Sequence, residues 1–345
     1  MNSGFWDKLT KPFFVLAPLA NVTDAAFRRI IVKYSKGKMG DVRRHPFVMY
    51  TEFVSADGLV LAPEEGRKKL LADLMYDELE RPIVAQFFSG KPDMMEKAAR
   101  LARELGFDGV DINMGCPDRA IEKQGAGAAH IKNPKLAQEI IYAAMEGAGP
   151  LPVSVKTRLG YNKDELEEWL PVLLETKLAA VIIHARTRKE MSKVPARWER
   201  IARAVEIRNE FSKGEAFGKF EGKTLIIGNG DLENLEDARA RVAESGADGA
   251  MLGRAIFGNP WLFSNSQEYE NRLDPVVLKK NLSIMVEHTK LFEEILPHKS
   301  FALMKKHYKA YVAGFEGASA LRAELMEAEN ASEVERIVQR FCATL

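Results

Sequence analysis

Residues 108–120 read DGVDINMGCPDRA, an apolar run that breaks into a Gly-Cys-Pro turn. Cys116 is one of only two cysteines in the chain. At the mouth of a run of this kind a thiol faces arriving ligands. The plainer alternative is a free cysteine used as a small buried hydrophobe. Asn113 stands three residues before it. Lys156 ends a second run, SVKTR, where an ammonium can hold an anionic ligand. Its alternative is an interior lysine paired with a carboxylate. Gln86, late in PIVAQFF, offers both a donor and an acceptor to a ring edge, or else is a core amide. His184 ends AVIIHAR beside Arg186 and Arg188. A lone histidine is more often structural, and only its place at the end of a run raises it.

These residues share one kind of position, so the elements beneath them matter. Eight short apolar runs recur, at 13–18, 47–53, 82–88, 108–114, 152–158, 180–186, 224–230 and 249–254. Most are apolar at consecutive positions, as strands covered on both faces are. Helical patterns lie between many of them. Residues 92–105 place Met94, Met95, Ala98, Leu101, Ala102 and Leu105 on one face, with Pro92 suited to the first turn and Gly106 to the cap. Residues 135–146 and 235–245 read as helices too, as do 164–177, where Pro171 should bend the helix or shift its start. Repeated strand–helix alternation predicts a parallel α/β fold. A (β/α)8 TIM barrel is favoured over a doubly wound sheet, because a closed barrel brings all strand ends to one rim. After NPWLF (259–263) the pattern turns helical throughout, over 275–295, 299–313, 317–328 and 332–342. That predicts a second, all-helical C-terminal domain.

The barrel reading gives the glycines a role. GNGDL (228–232) and GRAIFGNP (253–260) follow the last two runs, where barrels often hold a phosphate. Gly228, Gly230 and Gly253 let backbone N–H groups come close to an anion, and Arg254 can add a charged hydrogen bond. Taken singly, each segment is equally well a tight turn.

A net charge of +1 excludes a global field that attracts nucleic acid. Local positive segments remain at 33–45, 186–200 and 299–311, with Tyr34, Trp198, Tyr308 and Tyr311 interleaved, a pattern compatible with RNA. Two cysteines make neither a disulfide framework nor a Cys-rich zinc site, and no metal site is expected. Cys342 carries no motif and reads as structural or surface. No apolar run approaches the ~18 residues of a membrane span. The first residues lack the pattern of a signal peptide, so a cytoplasmic location is expected.

In order along the chain stand LAPLANVTDAAFR, TEFVSADGLV, VAQFFSG, VDINMGCP, VKTRLG, IIHARTR, IIGNGD and LGRAIFGNPW. Together they closely resemble the flavin-dependent tRNA-dihydrouridine synthases. MKKHYKAYVAGFEGASALRAEL resembles the C-terminal RNA-binding domain of that family. The resemblance implies an FMN-binding catalytic barrel over 1–265 and a helical tRNA-binding domain over 266–345. The implied reaction reduces a uridine of tRNA to 5,6-dihydrouridine, with NADPH as reductant and hydride passing from flavin N5 to uracil C6. Cys116 matches the family's proton donor to C5, an acid role that suits a thiol still protonated at neutral pH. Asn113 matches the asparagine that holds the uracil, and Arg186 is expected to bind substrate too. Pro18, Leu19 and Ala20 should line the flavin. Gln86 should meet its ring edge, Lys156 its N1/O2 side, and His184 the cofactor or substrate. Asn229, Gly230, Asp231, Gly253 and Arg254 should hold its phosphate end. No protein partner is implied.

The chain departs from the family's pattern at Asn21, at His130, in the loop 189–197 with Ser192 and Val194, and in a long 33–46 segment. Two other readings stay open at this level. One is an FMN barrel acting on a free pyrimidine. The other is a tRNA-binding protein without chemistry.

Overall fold

Consecutive apolar residues in short segments cannot satisfy one face only; they need cover on both sides. In the computed structural model the eight runs become β1 (Phe13–Leu16), β2 (Phe47–Ser55), β3 (Ile83–Phe88), β4 (Gly109–Asn113), β5 (Val153–Arg158), β6 (Ala180–His184), β7 (Leu225–Asn229) and β8 (Gly249–Leu252). The structure describes residues 3–35, 47–212, 223–264 and 274–345. Each strand pairs in parallel with the next, and β1 also pairs with β8, closing the barrel. The expected TIM barrel is the observed fold. Every residue of β1, β4, β7 and β8 is buried.

Helices α1 (Ala25–Ser35), α2 (Ala56–Leu61), α3 (Glu64–Asp73), α4 (Pro92–Glu104), α5 (Arg119–Glu122), α6 (Pro134–Ala148), α7 (Leu166–Glu175), α8 (Trp198–Phe211) and α9 (Leu235–Ser245) lie between the strands in sequence. Their ends follow local chemistry. Asn133 and Asn234 cap α6 and α9 by accepting from Leu136 and Asp237 N–H, and Gly246, at φ 68°, ends α9 in the left-handed region. Helix α7 starts at Leu166, two residues later than its pattern, and runs through Pro171. On α4, Met94, Met95, Ala98 and Ala102 are buried as expected, but Leu105 is 40% exposed. It lies one residue past the helix, where the turn no longer follows the buried stripe.

Two compact units are present. The first comprises Met1–Pro18, Phe47–Leu74 and Arg81–Gly253 and contains the barrel. The second comprises Leu19–Pro46, Met75–Glu80 and Arg254–Leu345. It holds α1 together with α10 (Pro275–Ile295), α11 (Met304–Tyr311), α12 (Ala318–Glu327) and α13 (Ala331–Cys342). Helix α10 packs against α1, α11 and α13, around Ile30, Leu282, Met285, Tyr308 and Leu325. A buried ion pair ties Met75–Glu80 to α1. Arg28 Nε donates to Glu80 at 2.6 Å, and its other nitrogens donate to the carbonyls of Thr23 and Met75. Neither charged side chain is exposed, so each needs the other. The boundary expected at 265/266 lies outside the described residues. Among those residues, no helix is long and apolar enough to cross a membrane.

Candidate active site

Side chains alternate along a strand, so Asp111 and Asn113 share one face of β4, and Ser154, Lys156 and Arg158 share one face of β5. The parallel register sets Asp111 beside Ser154 and Gln86, and Asn113 beside Lys156. Hydrogen bonds follow from that placement. Asp111 accepts from Gln86 Nε2 at 2.7 Å and from Ser154 Oγ at 2.6 Å. The Tyr50 hydroxyl lies 3.4 Å from Ser154 Oγ. Gln86 Oε1 accepts from Asn113 Nδ2 at 3.3 Å. Burial raises the Asp111 carboxyl to about 7, against the opposing pull of its hydrogen bonds and of Lys156.

Asn113 carries this network to the cysteine. Its side-chain oxygen accepts from the N–H groups of Gly115 at 3.2 Å and Cys116 at 2.9 Å. The turn is held from outside as well, by Arg158 Nε donating to the Gly115 carbonyl at 2.7 Å and by Ala128 N–H donating to the Cys116 carbonyl at 3.0 Å. Cys116 is half-buried. Burial pushes its thiol up from the ordinary range, although Arg158 and Lys156 pull the other way. A protonated thiol thus stands at the barrel rim.

Lys156 is half-buried and makes no ion pair among the described residues. Its ammonium donates to Asn229 Oδ1 at 3.2 Å, and Asn229 Nδ2 donates to the Met251 carbonyl. The carboxylate partner that the plainer reading required is therefore not bonded to it. Burial lowers Lys156 to about 8, and the neighbouring Arg158 adds to the effect. An anion at this place would raise it again.

Beyond Asn229 the chain turns sharply. Gly230 has φ 130°, and a Cβ there would lie 2.8 Å from Ala196 Cβ. At Gly228 a Cβ would lie 2.4 Å from the Trp198 ring, whose Nε1 donates to the Gly230 carbonyl at 2.9 Å. Next to this loop, Arg186 is 2% exposed. It is bonded to Asp231, to the Val194 carbonyl and to His184 Nε2 at 3.1 Å. His184, Arg186 and Asp231 thus form one connected group. Pro18 and Gly253 follow β1 and β8, which Ala17 N–H joins to the Leu252 carbonyl at 2.8 Å. Leu19 is half-buried, and its N–H and carbonyl are both bonded to Thr23. Ala20 and Arg254 are exposed.

The structure therefore links Gln86 of β3, Asn113 of β4 and the Cys116 turn in one chain of hydrogen bonds, sets Lys156 of β5 beside Asn113 and bonds it to Asn229 of β7, and joins His184, Arg186 and Asp231 in a second group. Sequence reasoning missed Asp111, Ser154, Tyr50 and Arg158. The available signal was one carboxylate inside the apolar run GVDIN, which a buried strand does not carry without a partner.

The basic segments change more. Residues 36–45 of the first lie outside the described residues. In the second, Arg186, Arg188, Arg197 and Arg200 all pair with carboxylates, of Asp231, Glu122, Glu190 and Asp164. Only Lys189 and Lys193 remain as exposed cations without an ion pair among the described residues. The interleaved aromatics are not stacking platforms. Trp198, Tyr308 and Tyr311 are buried, and Tyr34 donates to Glu287 at 2.7 Å. Trp198, Tyr308 and Tyr311 each fill a core, because a large ring gains more from burial than from water, and Tyr34 packs against one. Lys305, Lys306 and Lys309 stay on the third segment.

Two departures acquire reasons. Asn21 has φ 55°, a left-handed conformation that asparagine adopts more readily than other side chains. His130 is fully buried and bonded to the Ser89 carbonyl at 3.0 Å.

A family model described as dihydrouridine synthase (Dus) matches residues 15–344. A Staphylococcus aureus (strain COL) protein named "Probable tRNA-dihydrouridine synthase" is 36% identical, covering 100% of this chain and 98% of that protein. A Bacillus subtilis (strain 168) protein named "Probable tRNA-dihydrouridine synthase 2" is 37% identical, covering 99% and 97%. Among solved structures, morphinone reductase superposes with a TM-score of 0.50 at 14% identity, covering 76% of this chain and 86% of that one. That likeness is one of fold.

Proposed function

The chain belongs to the dihydrouridine synthase (Dus) family, and from that premise we propose that it reduces a uridine of tRNA to 5,6-dihydrouridine, with FMN bound in the barrel and NADPH as reductant. The observation that carries the reading is the pair of groups on adjacent strand ends. A protonated thiol, Cys116, stands one strand from an ammonium, Lys156, that has no carboxylate bonded to it. The residues present fit a flavin. Lys156 has no anion bonded to it among the described residues, and burial lowers it to about 8, so an anionic ligand there would be favoured.

When bound, FMN supplies hydride to carbon 6 of uracil. The protein's residues do the rest. Cys116 holds a proton on Sγ and delivers it to carbon 5, and burial keeps that proton in place at neutral pH. The resulting thiolate recovers its proton from solvent. The Lys156 ammonium stabilises negative charge at the N1/O2 side of the flavin. The amides of Gln86 and Asn113 present donors and acceptors to the flavin edge and to uracil. His184 and Arg186 border the ligand space, and Pro18, Leu19 and Ala20 line it. Asn229, Gly230, Asp231, Gly253 and Arg254 hold the phosphate end. The C-terminal helices hold the tRNA, with Lys305, Lys306 and Lys309 as phosphate contacts. A uridine stacked in tRNA must leave its stack to meet groups on a barrel rim, at a cost of about a few kcal/mol. The location consistent with such a substrate is the cytoplasm.

The test is direct. The purified protein, reconstituted with FMN, is given NADPH and tRNA made without modification, and nucleosides are analysed by mass spectrometry. A gain of two hydrogens on uridine is expected. Equal turnover of free uracil or dihydroorotate favours the free-pyrimidine alternative, and a protein that stays colourless with FMN favours the non-catalytic one.

A further inference from the structure

The polar chain beneath the Cys116 turn has a direction, and the backbone fixes it. The N–H groups of Gly115 and Cys116 only donate, so the Asn113 atom that faces them is its oxygen, at 3.2 and 2.9 Å. The Asn113 nitrogen is thereby turned toward Gln86, whose oxygen accepts at 3.3 Å. The Gln86 nitrogen is left to face Asp111, which accepts at 2.7 Å. On the other side, the Ser154 hydroxyl donates to the second Asp111 oxygen at 2.6 Å, with the Tyr50 hydroxyl behind it at 3.4 Å. Both arms end on one carboxylate. Asp111, Gln86 and Tyr50 are 0% exposed and Ser154 1%, so bulk solvent does not replace a lost partner.

We propose that Asp111 is the positioning residue of this site: its carboxylate holds the Gln86 amide in the one orientation that lets Asn113 grip the Cys116 turn. The inference rests on Cys116 being the proton donor of the proposed reaction. Without an acceptor at position 111 the Gln86 amide is held only by the 3.3 Å bond from Asn113. Once Gln86 turns its nitrogen toward Asn113, two donors face each other. Asn113 relieves that clash by turning its own oxygen toward Gln86, which releases the N–H groups of Gly115 and Cys116. The substitution Asp111→Asn avoids this. Its oxygen accepts from Gln86, and its nitrogen donates to Ser154 Oγ, whose hydroxyl swings to the Val110 carbonyl, 3.5 Å away. The neutral amide therefore keeps the geometry, whereas Asp111→Ala does not.

Alkylation of the whole protein by iodoacetamide tests the proposal, with each cysteine followed by peptide mass spectrometry and Cys342 as internal reference. Relative to Cys342, Asp111→Ala is expected to speed Cys116 alkylation about fivefold, the order of factor that one lost buried hydrogen bond represents. Asp111→Asn is expected to restore both the native alkylation rate and dihydrouridine formation. An unchanged Cys116 rate in folded Asp111→Ala overturns the proposal, as does an Asp111→Asn protein that behaves like the alanine variant. Should the alanine variant not fold, Asp111→Val removes the same acceptor from Gln86 while filling more of the space. The same acceleration is then expected, and its absence overturns the proposal. The alkylation readout needs neither tRNA nor flavin. A native protein that forms no dihydrouridine therefore counts against the proposed reaction, and an unchanged alkylation rate counts against the positioning role.

Discussion

Moving the protein from pH 7 to pH 5 should weaken its helical unit far more than its barrel. His288 and His307 are 0% and 1% exposed in that unit. Phe27 stacks on His288 at 5.0 Å, and His307 meets His288 edge-on at 4.6 Å. Both His288 nitrogens and Nδ1 of His307 lack a hydrogen-bond partner among the described residues. Burial therefore holds both rings neutral, with His307 lowered to about 3 and His288 well below its ordinary value. A folded pKa below the unfolded one means that the unfolded chain takes up the proton first. Stability is thus full above pH ~6.5 and is lost as pH falls toward the folded value. From pH 7 to 5 each ring costs about 2 kcal/mol, and the pair about 4 kcal/mol, against a typical total of about 5–15 kcal/mol. In the barrel two groups oppose each other. His130, lowered to about 4 by burial, costs about 2 kcal/mol over the same interval. Asp111, raised to about 7, takes up its proton in the folded state and returns about 2 kcal/mol. The assay is hydrogen exchange by mass spectrometry at both pH values, corrected for intrinsic rates, comparing peptides of α10 and α11 with peptides of the strands. The double substitution His288→Phe and His307→Phe should remove most of the acid loss in α10 and α11. If that variant loses as much protection at pH 5 as the native protein, the assignment to these rings is refuted.

Replacing Cys116 by alanine should leave FMN and tRNA binding intact and cut dihydrouridine formation by about 10²–10⁴, read by single-turnover assay, since positioned proton donors contribute that much. Gly230→Ala should lose bound FMN, measured by its absorbance after gel filtration, because a Cβ there sits 2.8 Å from Ala196 Cβ on a backbone at φ 130°. Binding of tRNA should weaken steeply with salt. Changing Lys305, Lys306 and Lys309 together to glutamine should lower the slope of log affinity against log salt by about one for each phosphate no longer neutralised.

The order of elements was legible along the chain because it depends on local pattern. Runs such as FFVL and LIIGN are too short and too apolar to be anything but covered strands, and Asn234 and Gly246 bracket α9 by their own chemistry. The strand-end positions of Gln86, Lys156 and His184 followed from the same reading. Less was legible about what those side chains touch. Arg188 looked like part of a free basic face, yet its partner Glu122 lies 66 residues earlier. Tyr308 and Tyr311 sit among lysines in sequence, but the helix turns the two rings inward and leaves Lys305, Lys306 and Lys309 out of the core.

By itself, then, the sequence determined a parallel barrel, a helical tail and a cysteine placed where a strand opens into a turn. Periodicity and capping act over a few residues, and the chain carries them openly. Tertiary structure alone decided which polar groups meet. Closing the barrel brought Tyr50, Gln86, Asp111 and Ser154 from four strands into one dry network, and the cost of an unpartnered polar atom there fixed its direction. It also decided that most of the arginines near His184 are paired within the protein, whereas Lys156 is left without a carboxylate bonded to it. A buried charge takes its meaning from its neighbours, and those neighbours are set by the fold.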